Sequence, residues 1–209
     1  MIGWLLPLLL LVHPESDGEP PKKINAGRVF SFQDYPTEAL QRNEYGITSV
    51  RLHITAKGVI DECIVTETSG FPILDSKTCS LIKARGRFKP ATDARGTPID
   101  GDYHMATSWG VGANQPRTTS TVTLLAQKIP TSYQTPADTM VLFGVDGRVA
   151  KCTVQQSSGS EAADKAACAY ITAQLAVSPP QSKSGEEPAI AVRYVTVSLT
   201  IDANSTKVQ

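Results

Sequence analysis

The sequence predicts an α+β protein built from two copies of one small module, and three observations carry that expectation. The chain resembles itself at a spacing of 89 residues, each copy alternates apolar and polar residues on either side of a glycine turn, and four cysteines recur at equal spacing. Laying Gly58–Cys79 on Gly147–Cys168 needs no gap and pairs seven identical residues in 22. These are Gly58/Gly147, Cys63/Cys152, Val65/Val154, Ser69/Ser158, Gly70/Gly159, Asp75/Asp164 and Cys79/Cys168. Composition alone accounts for about one or two such matches. Ile82/Ile171, Ala84/Ala173 and Pro90/Pro179 continue the correspondence.

Each copy reads as strand, tight turn, strand, helix and closing strand. Val50, Leu52 and Ile54 alternate with Arg51, His53 and Thr55, the period of a half-buried strand. Ala56-Lys57-Gly58 turns the chain and Val59 to Thr68 returns it. In the second copy Val141, Phe143 and Val145 take the inward role, with Asp146-Gly147 at the hairpin. After Ser69-Gly70 and Ser158-Gly159 the spacing becomes helical. Leu74, Thr78, Leu81 and Ile82 form one stripe, and Ala163, Ala167, Tyr170 and Ile171 the other. Asp75 and Asp164 fall in the first turn, where a carboxylate suits the helix dipole. Closing strands are expected at Asp102 to Trp109 and Ala191 to Ile201, and Thr121 to Ala126 reads as a strand of unassigned place.

The cysteines sit on the second strand and on the sheet-facing side of the helix in both copies. A bridge there ties helix to sheet, so the expected pairs are Cys63 with Cys79 and Cys152 with Cys168. Zinc and dithiol redox chemistry want Cys-x-x-Cys pairs, which the sequence lacks. Lys plus Arg equals Asp plus Glu at 20 each, which leaves no net field for a phosphate backbone, and nucleic acid is not expected.

No catalytic set assembles either. His53 and His104 lie on the strand face opposite the apolar positions, where they read as surface residues rather than metal ligands. Ser69 and Ser158 lack a Gly-x-Ser-x-Gly elbow, and Asp61, Glu62 and Glu67 have no acidic counterparts at Ala150, Lys151 and Gln156. No enzyme, cofactor or metal is expected.

Ile2 to Val12 is an apolar run of about eleven residues, too short to cross a bilayer and suited to a signal-peptide core, with a short membrane anchor as the alternative. Export follows from both, and it makes disulfides stable. The expected division is a leader or anchor at 1–18, a linker at 19–29, a first module at 30–110, a linker at 111–118, a second, degenerate module at 119–203 and a tail at 204–209.

Asp34-Tyr35-Pro36 with Glu38-Ala39-Leu40, Gly46, the hairpin at Gly58, Cys63 to Gly70, Leu74-Asp75, Cys79 and Arg87-Phe88-Lys89-Pro90-Ala91 resemble the C-terminal domain of TonB-family proteins, in its cysteine-bearing form. The likeness covers about residues 30–110; the second copy keeps only the hairpin, cysteines and helix. It implies two helices on one face of a three-stranded antiparallel sheet, the first helix at Pro36 to Asn43. It also implies a periplasmic protein, or one anchored in the inner membrane and facing the periplasm. Such a domain captures an extended segment of an outer-membrane transporter by adding it to an open sheet edge. The resemblance assigns that edge to the closing strand with Tyr103, Met105, Thr107 and Trp109, beside Tyr35 and Pro36. Two departures stand out: Glu15 to Gly27 is too short for the family's spacer, and Phe32 stands where the family places glutamine. The second copy lacks the Tyr-Pro helix, which leaves its edge open to the first copy. The expectation is a non-catalytic binder of a protein or peptide in the envelope. An energy transducer with a truncated anchor and a purely structural envelope component, with both edges buried between modules, are the alternatives.

Overall fold

A computed structural model describes residues 18–24, 29–182 and 188–201. The apolar segment 2–12, with the leader or anchor expected there, lies outside the described residues. In chain order the elements are β1 (Lys22–Lys23), α1 (Thr37–Gln41), β2 (Gly46–Ile54), β3 (Ile60–Glu67), α2 (Pro72–Arg85), β4 (Phe88–Lys89), β5 (Ala91–Thr92), β6 (Pro98–Ile99) and β7 (Gly101–Trp109). Then follow β8 (Thr119–Ala126), β9 (Ala137–Phe143), β10 (Val149–Gln156), α3 (Glu161–Gln174) and β11 (Ala191–Ile201). The architecture is α+β, as expected of a TonB-C-like fold.

In the first half β2 is central, pairing antiparallel with β3 and β7. Val50, Leu52 and Ile54 are fully buried against Leu74 and Ile82 of α2. Each such side chain contributes about 1.5–3 kcal/mol. Pro72 opens α2, where its missing N–H costs nothing. Asp75 does more than face the helix dipole: it accepts bonds from Thr48, Thr68 and Ser69, tying the helix start to β2 and to the turn after β3.

In the second half β9 and β10 form a hairpin, and α3 packs on them through Ala163, Ala167 and Ile171. Both hairpins turn at a glycine with positive φ, 74° at Gly58 and 75° at Gly147, a conformation that side chains resist. Disulfides join Cys63 to Cys79 and Cys152 to Cys168, each across 16 positions, as the spacing predicted. Two details differ from expectation. Val145 is 60% exposed because β9 ends at Phe143, and Tyr170 is 38% exposed while the helix stripe runs through smaller residues. The helix α1 is also shorter than expected, ending at Gln41 before Asn43 enters the left-handed region.

The closing strands keep register but not spacing. Gly101 faces Ile54 and Ala191 faces Phe143, so the offset is 89 on the central strands and 90 on the closing ones. One extra residue in the second connection prevents the side chains of β11 from pointing to the wrong face. The edge of β11 is filled by β8, which runs parallel to it from Thr119 beside Tyr194 to Ala126 beside Ile201. This corrects the expectation that the first copy covers that edge, and it gives the unassigned strand its place.

The two sheets meet face to face, not edge to edge. Met140, Leu142, Val192 and Tyr194 pack on the back of the first sheet at Ala106, which produces four layers with helices outside. Ser49, an outward polar residue by sequence pattern, is fully buried there; its hydroxyl donates to Glu67 and accepts the Val192 amide. Glu67 also holds Arg193 through two bonds of 2.8 and 2.7 Å. The same packing half-buries His104, and burial pushes its imidazole below the ordinary value.

Candidate functional site

The strand β7 is an edge of its sheet, paired on one side with β2. The Ala106 amide points away from β2, since it donates to the Tyr194 hydroxyl at 3.3 Å. Alternation in an antiparallel ladder turns the His104 and Ser108 amides outward as well. Burial pushes the Tyr194 phenol up to about 12, so its oxygen stays a neutral acceptor at the middle of the edge.

Beside the C-terminal half of β7 lies a groove of about 350 Å³, lined by Phe30, Phe32, Tyr35, Thr107, Ser108 and Trp109 among others, none of them charged. Trp109 forms its floor. It is 4% exposed, its indole donates to Thr78 at 2.8 Å, and Phe30 and Tyr35 meet it edge-on at 6.0 and 5.4 Å. The Tyr35 hydroxyl donates to the Glu44 carbonyl, which anchors the ring over the tryptophan. Phe32, where the family places glutamine, is 66% exposed on the rim.

Of the residues the sequence singled out, Tyr35, Thr107 and Trp109 come together in this groove. Pro36 does not line it but caps α1. Met105 is buried in the core, and Tyr103 packs on Phe88 at 5.0 Å, so these two share the strand but not the groove. Sequence reasoning missed Phe30 and Ser108. The alternation Phe30-Ser31-Phe32 ahead of Tyr35 was the available signal.

A second missed feature holds the groove wall. Asp34 accepts two bonds from Arg85 at 2.7 and 2.8 Å and two from Ser31, so the guanidinium holds its carboxyl well below the usual range. Asp34→Asn is expected to cost about 1–2 kcal/mol. It also shifts the Trp109 indole resonance as Phe30 and Tyr35 loosen. Because the folded pKa is depressed, this stabilisation is complete above the ordinary value near 3.8 and is lost as pH falls below it. Acid titration of both proteins is expected to bring their stabilities together, and a constant gap would show that the carboxylate is not responsible.

His53 and His104 do not converge on a site. The His53 ring bonds to Asp102, which raises its pKa, and His104 Nδ1 is buried with no hydrogen-bond partner among the described residues. Among the described residues no cluster of His, Cys, Asp and Glu is grouped as for a metal ion.

Residues 32–110 match the family model of the Gram-negative bacterial TonB protein C-terminal. The match supports a TonB C-terminal domain in the first half of the chain. The matched stretch spans α1 to β7 and contains the β7 edge with Phe32, Tyr35, Thr107, Ser108 and Trp109 of the groove, while Phe30 lies just ahead of it. No curated protein matches the chain. Among the described residues no helix is long and apolar enough to cross a membrane.

Proposed function

We propose that this chain is a non-catalytic TonB-family protein of the periplasm that holds a protein or peptide partner by strand addition to the outer edge of β7. The observation that carries the reading is the β7 edge, which among the described residues has a strand on one side only and one outward amide taken up by Tyr194, lying beside an uncharged aromatic groove built mainly from residues 32–110, the stretch that matches the TonB C-terminal model. Backbone groups on an edge supply affinity, and a groove beside them supplies selectivity. The reading includes a tandem duplication with modules at 30–110 and 119–203. It is supported by the matching hairpins, the matching disulfides, and the twin bonds from the Ser69 and Ser158 amides to Asp75 and Asp164. A segment of an outer-membrane transporter is the proposed partner.

The test is amide exchange on the full chain with synthetic TonB-box peptides of outer-membrane transporters. Exchange at His104 and Ser108 is expected to slow on saturation. Ser108→Pro removes an outward amide at an edge position that tolerates proline, and is expected to weaken binding about tenfold, the equivalent of one hydrogen bond. Binding that leaves β7 exchange unchanged refutes strand addition.

A further inference from the structure

The strand β8 is the first of the second module, and it completes that module's sheet from its outer edge, parallel to β11 over eight consecutive residue pairs without a bulge. Through the shared pairing pattern, β11 stands in the second sheet where β7 stands in the first. Thr48 faces Thr107 and Ala137 faces Val197, so Val197 holds the place of Thr107, and Leu199 holds that of Trp109. Val122 and Leu124 of β8 lie beside Val197 and Leu199, and both pack into the core under α3. The corresponding space in the first module, on the helix side of Thr107 and Trp109, is the groove between Phe30, Phe32 and Tyr35.

The chemistry of the two places matches. No charged residue occurs between Arg117 and Lys128, and the groove lining carries none either. Natural edge strands are usually guarded by lysine, proline or a bulge, and β8 has none of these. An uncharged, β-branched and leucine-rich strand is suited to an edge beside an apolar groove.

We propose that β8 is the chain's own edge ligand. It closes the second module permanently, and its chemistry is that of the strand the first module takes from a partner. The ligand class is an uncharged extended segment of about eight residues, with two aliphatic side chains two positions apart seated in the Phe30–Trp109 groove. One molecule then takes one partner strand, because the Phe30–Trp109 groove lies beside a single edge, that of β7. This inference rests on the strand-addition reading above.

The experiment uses the full chain and a labelled synthetic peptide of residues 118–127, followed by fluorescence anisotropy. Saturable binding of one peptide per chain is expected, weakened about tenfold or more by Phe32→Asp in the chain or by lysine at the peptide positions of Val122 and Leu124. Phe32 is exposed, so its substitution leaves the core in place. A spin label at the peptide's C-terminal end is expected to broaden the Trp109 indole resonance, and one at the N-terminal end is not. Absence of binding, equal binding of the reversed sequence, or indifference to Phe32→Asp overturns the inference. If transporter peptides still protect His104 and Ser108 while the 118–127 peptide fails, only this inference is lost. Failure of both peptide sets removes the strand-addition reading itself.

Discussion

Replacing Cys63 and Cys79 together by alanine is expected to lower the free energy of unfolding by about 3 kcal/mol, the chain-entropy value for a loop of this length. Cys152 and Cys168 close a loop of the same separation, so their removal is expected to lower it by the same amount. What remains afterwards differs. The helix α2 is held by Leu74, Leu81 and Ile82 beneath Trp109 and Phe88, whereas α3 rests on Ala163, Ala167 and Ile171. Less apolar surface leaves α3 more dependent on its staple. Denaturant midpoints give the stabilities, and amide exchange after reduction is expected to open α3 before α2. Simultaneous opening, or a midpoint insensitive to both replacements, would show that packing alone holds the helices.

The second large effect lies between the halves. Glu67 receives both guanidinium nitrogens of Arg193 and the Ser49 hydroxyl at 2.6 Å, and the paired side chains are only 12% and 17% exposed. Glu67→Gln leaves Arg193 without its counter-charge in a largely dry interface. A loss of about 2–4 kcal/mol is expected, toward the lower end because some water reaches the pair. Arg193→Met is expected to cost a similar amount. Their combination is expected to cost less than the sum, since neither charge is then stranded. A double-mutant cycle in urea measures this coupling. A coupling energy near zero would mean that the sheets are held by Met140, Leu142 and Val192 and not by the ion pair.

Much of the fold could be read locally. Val50, Leu52 and Ile54 announced a strand by their alternation, and all three are fully buried. Gly58 and Gly147 announced turns, and both have positive φ. The cysteine spacing matched a strand followed by a helix, which places the second sulfur over the first. Where the local pattern was weaker, the expectation slipped. Val145 continued an apolar alternation beyond the end of its strand, and Tyr170 was placed in a stripe that the smaller alanines occupy.

The groove was half legible. Tyr35, Thr107 and Trp109 converge, but strand membership alone could not separate them from Met105 and Tyr103, whose side chains fill the core. Nor could it find Phe30 and Asp34, whose roles depend on Trp109 and Arg85 arriving from the far end of the module.

Periodicity, turn glycines and cysteine spacing act over about 20 residues, and the order of letters alone therefore determined the hairpins, the helices and their staples. Only the assembled structure decided that β8 fills the edge of β11, that the two sheets stack by their backs, and that Ser49, Glu67 and Arg193 meet in one buried contact. An uncharged strand satisfies its backbone on any compatible edge, and a half-buried sheet face is covered by any apolar surface that fits it. The choice among such partners is made by the joint packing of residues up to 143 positions apart, such as Ser49 and Val192, and no local pattern records it.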